Sequence, residues 1–186
     1  MERNAASATF GIGSKLPNFS LPSALGKHLG AEYLREGKAG LVAFVCNHCP
    51  YVKGSEEMLM RIVRRFEPHG LRAVAISSND AAQYPEDSYE KMKEKAVQLG
   101  LPYPYLYDDS QEVAKQFDAA CTPEIYLFDG AGKLAYHGAI NDSPRDPSKV
   151  TKEHLTEAIE AVLAGRTPAA PFVNPLGCSI KWKPKG

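Results

Sequence analysis

The residues best suited to chemistry are Cys46-Asn47-His48-Cys49, followed at once by Pro50. Two cysteines separated by two residues can cycle between dithiol and disulfide, or supply part of a metal site. The run before them, residues 40–45, is short, apolar and β-rich, and reads as a buried strand. Beyond Pro50, Met58, Leu59, Ile62, Val63 and Phe66 recur at helical spacing until His69 and Gly70 stop the pattern. The pair therefore stands where a strand turns into a helix. Proline suits the first helical position, which makes Cys49 the N-terminal cap. Unpaired N–H groups and a partial positive charge gather there and favour a thiolate over a thiol. Such sites lower a cysteine pKa from about 8.5 to as little as ~3.5. His48 would add positive charge when protonated. The plainer alternative is an inert pair, Cys46 buried at a strand end and Cys49 in a loop. A zinc site usually wants four ligands, so His48 or His137 would have to join the one visible pair.

The other two cysteines lie far along the chain. Cys121-Thr122-Pro123-Glu124 comes directly before a strand-like run, residues 125–129. A proline heading a strand needs no special explanation, and only about 5–6% of such bonds are cis, so spacing alone reads a turn. Cys178 falls in a tail, residues 166–186, that holds four prolines but also Phe172, Val173, Leu176, Ile180 and Trp182. A disordered tail rarely carries that much apolar surface. The tail is expected to dock on the body and to bring Cys178 with it.

Positioning these thiols requires a framework, and the remaining pattern supplies one. Residues 71–77 form a second buried strand, and a helix from about 86 to 99 is closed by Gly100. A short strand over 105–107 and a helix over 110–117 follow. Residues 125–129 and 134–137, joined by a glycine turn, read as a hairpin. Leu155, Ile159, Val162 and Leu163 mark the last helix. Helical crossovers followed by an antiparallel hairpin imply an α/β fold with a central mixed sheet and helices on both faces. At 186 residues one domain is expected. Lys plus Arg equals Asp plus Glu at 22 each, which argues against nucleic acid or an anionic membrane as partner. No apolar run reaches the length of a membrane span. Residues 1–10 lack the apolar stretch of a secretory signal, so a cytoplasmic location is expected. No phosphate-binding glycine loop occurs, and no cofactor or resident metal is implied. Asp108 and Asp109 read as helix-capping or solvent-facing acids, His137 as a satisfied structural residue, and His154 as a surface one.

Together these residues resemble the thioredoxin-like superfamily, and within it the peroxiredoxin-like (redoxin, AhpC/TSA) branch. Gly13-Ser-Lys-Leu-Pro17-Asn-Phe19-Ser-Leu21 with Gly26-Lys27 looks like that branch's N-terminal hairpin, and Val42-Ala-Phe44 leading to Cys49 like its first core strand and active-site cysteine. Tyr107-Asp108 and Thr122-Pro123 look like later landmarks. A flexible N-terminus (1–10) and a packed tail (166–186) are expected on either side of the domain over residues 11–165 that the resemblance implies. It implies that Pro123 is a cis-proline facing the reactive cysteine, with Thr122 and Cys121 close to it. Gapless alignment on Phe44 makes Cys49 the nucleophile; aligning the two Cys-x-x-Cys motifs would make it Cys46. Pro50 as the first helical residue favours Cys49.

Two departures from the family pattern bear on activity. The hydroxyl that helps to place peroxide in peroxiredoxins falls at Cys46, and the proline at Val42. The buried acid of thioredoxin falls at Ala43. The expected function is thiol–disulfide exchange by Cys49 on a disulfide or peroxide, with Cys46, Cys121 or Cys178 resolving, His48, Pro50, Thr122 and Pro123 supporting the site, and a thiol as reductant. Alternatives are a thiol peroxidase and a metal-handling or redox-sensing protein using Cys46, Cys49 and a histidine.

Overall fold

The computed structural model describes residues 10–186. The expected flexible N-terminus lies outside the described residues except for Phe10. That ring is buried against Phe117, Tyr126 and Phe128, with centroids 5.4, 5.9 and 6.3 Å away.

Six strands make the central sheet, in the order β5 (Tyr105–Tyr107), β4 (Leu71–Ser77), β3 (Ala39–Phe44), β7 (Glu124–Phe128), β8 (Leu134–Gly138), β9 (Phe172–Val173). β3, β4 and β5 run parallel, β7 is antiparallel to both β3 and β8, and β9 is parallel to β8. A two-stranded hairpin, β1 (Ser20–Pro22) with β2 (His28–Gly30), precedes the sheet. The alternation of side chains along β3 explains why both faces are covered. Leu41 and Ala43 pack with α2 (Pro50–Phe66), α3 (Tyr89–Leu99) and α5 (His154–Leu163) on one face. Val42 and Phe44 pack with α1 (Ala31–Arg35) and α4 (Glu112–Gln116) on the other. This is the mixed α/β architecture that the sequence pattern implies.

Differences from the sequence expectation are local. The helix expected from about residue 86 starts at Tyr89, because Ser88 Oγ accepts the Lys91 N–H (3.3 Å) and Pro85–Asp87 forms a 3-10 turn before it. α4 starts two residues later than expected. Asp108 is fully buried and accepts the N–H of Ala114 at 2.9 Å and of Val113 at 3.4 Å, a capping role beneath the helix. His154 is half-buried at the head of α5 rather than at the surface.

The tail is docked, as expected, and in two ways. β9 extends the sheet beside β8, and β10 (Cys178–Ser179) pairs antiparallel with β6 (Cys121–Thr122). Ile180 is buried, whereas Leu176 and Trp182 stay exposed, so part of the tail's apolar surface remains uncovered. No helix among the described residues is long and apolar enough to cross a membrane.

Candidate active site

β3 runs straight into the segment that carries Cys46 and Cys49. Cys46 and Cys49 are both buried. Pro50 is the first residue of α2, and Cys49 caps it in extended conformation. The Thr122–Pro123 peptide bond is cis, and Thr122 faces both sulfurs. The Thr122 carbonyl oxygen lies 3.3 Å from Cys49 Sγ, and its hydroxyl lies 3.5 Å from Cys46 Sγ.

β10 adds a third sulfur. Cys178 stands opposite Thr122 in the ladder, packed against the cluster that contains Cys46 and Cys49. The close approach depends on Gly177, where an added Cβ would fall 2.1 Å from the Thr122 carbonyl oxygen. Cys121, by contrast, is buried opposite Ser179, one residue away from the pairing that brings Cys178 to the site. All four cysteines are thiols.

The electrostatics separate the three clustered thiols. Cys49 is held down to about 4, chiefly because the Cys46 thiol donates a hydrogen bond to its thiolate. Burial opposes this, while the Cys178 thiol and the main-chain N–H groups of Val52 and Cys178 reinforce it. The Val52 N–H acts on the sulfur without closing a full capping hydrogen bond. The Thr122 carbonyl can accept only from neutral Cys49 and so opposes the thiolate, but four donors outweigh one acceptor. Cys46 is pushed well above the ordinary thiol range by that same hydrogen bond, then by burial and the Asp87 carboxylate. Cys178 is pushed up to about 11, first by burial and then by its bond to Cys49. One thiolate therefore sits between two protonated thiols.

Two buried acids that the sequence reading missed hold the loops around it. Asp87 accepts the Asn47 N–H (2.8 Å), the His48 N–H (3.3 Å) and the Asn79 amide (2.9 Å), and so fixes the turn between the cysteines. Glu124 accepts the N–H groups of Ala120 (2.7 Å) and Cys121 (3.1 Å), which fixes the segment leading to Pro123. A charged residue heading the apolar run 125–128 was the available signal for Glu124. Nothing local marked Asp87.

His48 stacks on Tyr84, with centroids 5.6 Å apart. Its Nδ1 lies 2.5 Å from Asp87 Oδ2, but the angle does not suit a hydrogen bond, so the nitrogen is buried without one. Cys46, His48 and Asp87 could together offer a metal three ligand atoms, all within 4.8 Å of one another. The Asp87 oxygens already serve the loop amides, however, which weakens the case for a metal there. His137 binds Glu124 at 2.8 Å and stacks on Tyr126, the structural role expected of it.

The residues 12–137 match the model of the AhpC/TSA family. The chain belongs to the AhpC/TSA family. No curated protein matches this AhpC/TSA chain. Among solved structures it is similar to an uncharacterised conserved protein from Geobacillus kaustophilus, at 44% identity and TM-score 0.91, covering 100% of this chain and 97% of that one. It is also similar to a hypothetical protein from Sinorhizobium meliloti 1021, at 36% identity and TM-score 0.87, covering 95% and 97%. A thiol:disulfide interchange protein of the thioredoxin family from Chlorobium tepidum TLS shares the fold at 18% identity and TM-score 0.63, covering 81% and 97%. Membership in the AhpC/TSA family and the thioredoxin-like fold support a thiol redox function in general.

The tight Gly177 approach yields a direct expectation. Gly177→Ala forces the tail strand away from Thr122, and overpacking of this kind costs enough to speed the alkylation of Cys49 by iodoacetamide about tenfold. Mass-spectrometric mapping of the labelled cysteines checks it.

Proposed function

We propose that this chain is a thiol–disulfide oxidoreductase in which Cys49 is the nucleophile and Cys178 resolves. The observation that carries this reading is the convergence of two thiol donors on the cap sulfur, with one donor on a short tail strand. Cys49 thiolate attacks one sulfur of a disulfide; the S–S bond breaks and the leaving thiolate takes a proton from water. Cys178 then gives up its proton to water and attacks Cys49 Sγ in the mixed disulfide. The products are a Cys49–Cys178 disulfide and a second reduced thiol, so two electrons pass from the protein to the substrate. An external thiol returns the protein to its reduced state. A reducing compartment such as the cytoplasm suits that cycle.

Cys178 is favoured over Cys46 as the resolving thiol for two reasons. Once Cys49 is in the mixed disulfide, burial and the Asp87 carboxylate still hold the Cys46 proton, whereas Lys181 and Arg145 favour the Cys178 thiolate, and Cys178 is half-buried whereas Cys46 is buried. Cys46 acts instead as the standing donor that keeps Cys49 ionised.

The test is to mix the reduced protein with one equivalent of oxidised glutathione and to map cysteine connectivity over time. A glutathionylated Cys49 that gives way to a Cys49–Cys178 disulfide is the expected course. A protein whose Cys49 stays reduced while another cysteine takes up glutathione would overturn the reading. A Cys46–Cys49 disulfide appearing first would move the resolving role to Cys46.

A further inference from the structure

The mouth of the site is built from two cation–aromatic pairs. Cys49 has no exposed surface, and Cys178 is the most exposed of the three clustered cysteines. A substrate therefore arrives on the Cys178 side. On one flank the Arg145 guanidinium lies over the Tyr51 ring at 5.9 Å, two residues beyond Cys49. Its loop is pinned to α2, where Ser55 Oγ donates to the Pro144 carbonyl at 2.8 Å. On the other flank the Lys181 ammonium lies 5.8 Å from the Tyr84 ring, which itself stacks on His48. Lys181 and Arg145 are also the two cations whose charges reach Cys178.

Among the described residues neither cation is in an ion pair. Of the acids in neighbouring segments, Asp109 is held by Lys183 at 3.0 Å and Asp146 by Lys149, while Asp142 turns its carboxylate to the Thr151 N–H. Asp87 is buried under the loop and accepts its amides. Asp80 is buried and accepts from Ala82 and Gln83. The Cys49 thiolate and the Asp80 and Asp87 carboxylates keep their charge but are buried, whereas Arg145 is exposed and Lys181 half-buried, so these two cations are the charges an arriving substrate meets first, and they favour an anion.

Pairing of β10 with β6 closes the strand-addition route beside Thr122 to a larger, extended substrate. An extended peptide would bind there by adding a strand, but β10 already fills the edge in register, with Cys178 opposite Thr122.

We infer that the substrate is a small disulfide carrying carboxylate groups, which Arg145 and Lys181 draw to the Cys178 side of the site. This rests on the disulfide-exchange reading above and adds the substrate class to it.

Single-turnover rates of the reduced wild-type protein test it with three small disulfides: dithiodipropionate (anionic), hydroxyethyl disulfide (neutral) and cystamine (cationic). Each rate is divided by the rate of the same disulfide with dithiothreitol, which removes intrinsic reactivity. The anion is expected to exceed the cation about tenfold at low ionic strength, with the ratio shrinking in high salt. In Arg145→Ala/Lys181→Ala that ratio collapses toward one. Equal normalised rates, or a faster cation, overturn the charge selection and leave disulfide exchange standing. Faster reaction with insulin disulfides than with the anion overturns the limit on size. Failure of all of them to react, in a protein whose Cys49 still alkylates, overturns the exchange reading and this inference together.

Discussion

Replacing Cys49 by serine will lower disulfide reduction by at least about a thousandfold, because a hydroxyl at the same cap stays protonated and is a far weaker nucleophile than a thiolate. The fold should survive, since serine is itself a preferred cap and Cys49 occupies that position. Thermal unfolding of the variant checks this separately from activity. Cys178→Ser has a different signature. Cys49 still attacks, but nothing on the tail resolves, so the glutathione mixed disulfide on Cys49 accumulates and is released only by external thiol. Intact-mass measurement during turnover distinguishes the two variants. A Cys178→Ser protein that turns over at the wild-type rate without accumulating the adduct would assign resolution to Cys46 and reduce the tail to a cover.

How much of this was legible in the chain follows from the range of each interaction. The cap at Cys49 could be read because its determinants are local: a strand-like run, a first-turn proline and a helical repeat that follow one another along residues 40–66. The cis bond before Pro123 could not be read from spacing and entered only through resemblance. Docking of the tail was legible from its apolar content, but its register was not. Whether Cys178 or Ser179 stands opposite Thr122 is set by long-range pairing and by the gap that Gly177 leaves, and a slip of one residue would turn the sulfur away. Asp87 was hidden for the opposite reason. It follows an exposed glutamate in an acidic stretch, and only the folded chain carries it 39 residues back to the amide of His48. The tail's tryptophan misled in a small way, for it suggested burial and is 41% exposed. A long amphipathic ring is often highly but not fully buried, so its presence argues for docking of the segment and not of the ring.

The depressed Cys49 value sets the pH profile, and Cys46 sets the depressed value. With its thiol held at about 4, Cys49 is fully ionised from pH 6 to 8. Its alkylation by iodoacetamide should be flat there and fall only as pH drops toward 4, where an ordinary thiol near 8.5 has long ceased to react. Cys46→Ala removes the largest contributor to that depression. A hydrogen bond to a charged group is worth about 1.5–3 kcal/mol, so the midpoint of the profile should move alkaline by about one to two pH units. At pH 5 the alkylation rate then falls about two- to tenfold, while at pH 9 it changes little. Stability follows the same protons. Between the native Cys49 value and the ordinary thiol value the unfolded chain binds a proton that the native chain does not, so this contribution grows as pH rises through that window and is lost as pH falls to about 4. Cys46 and Cys178 are raised and act in the other direction. They keep protons in the native state that the unfolded chain releases above about 8.5, so their contribution is present below that pH and is lost at higher pH. The reduced protein should gain stability toward Cys49→Ala from pH 5 to 8 and yield it again beyond 9, as urea denaturation of both proteins across that range would show. A midpoint for Cys49 near 8.5 in the wild-type protein would sink both the hydrogen-bonded thiolate and the division of labour among the three cysteines.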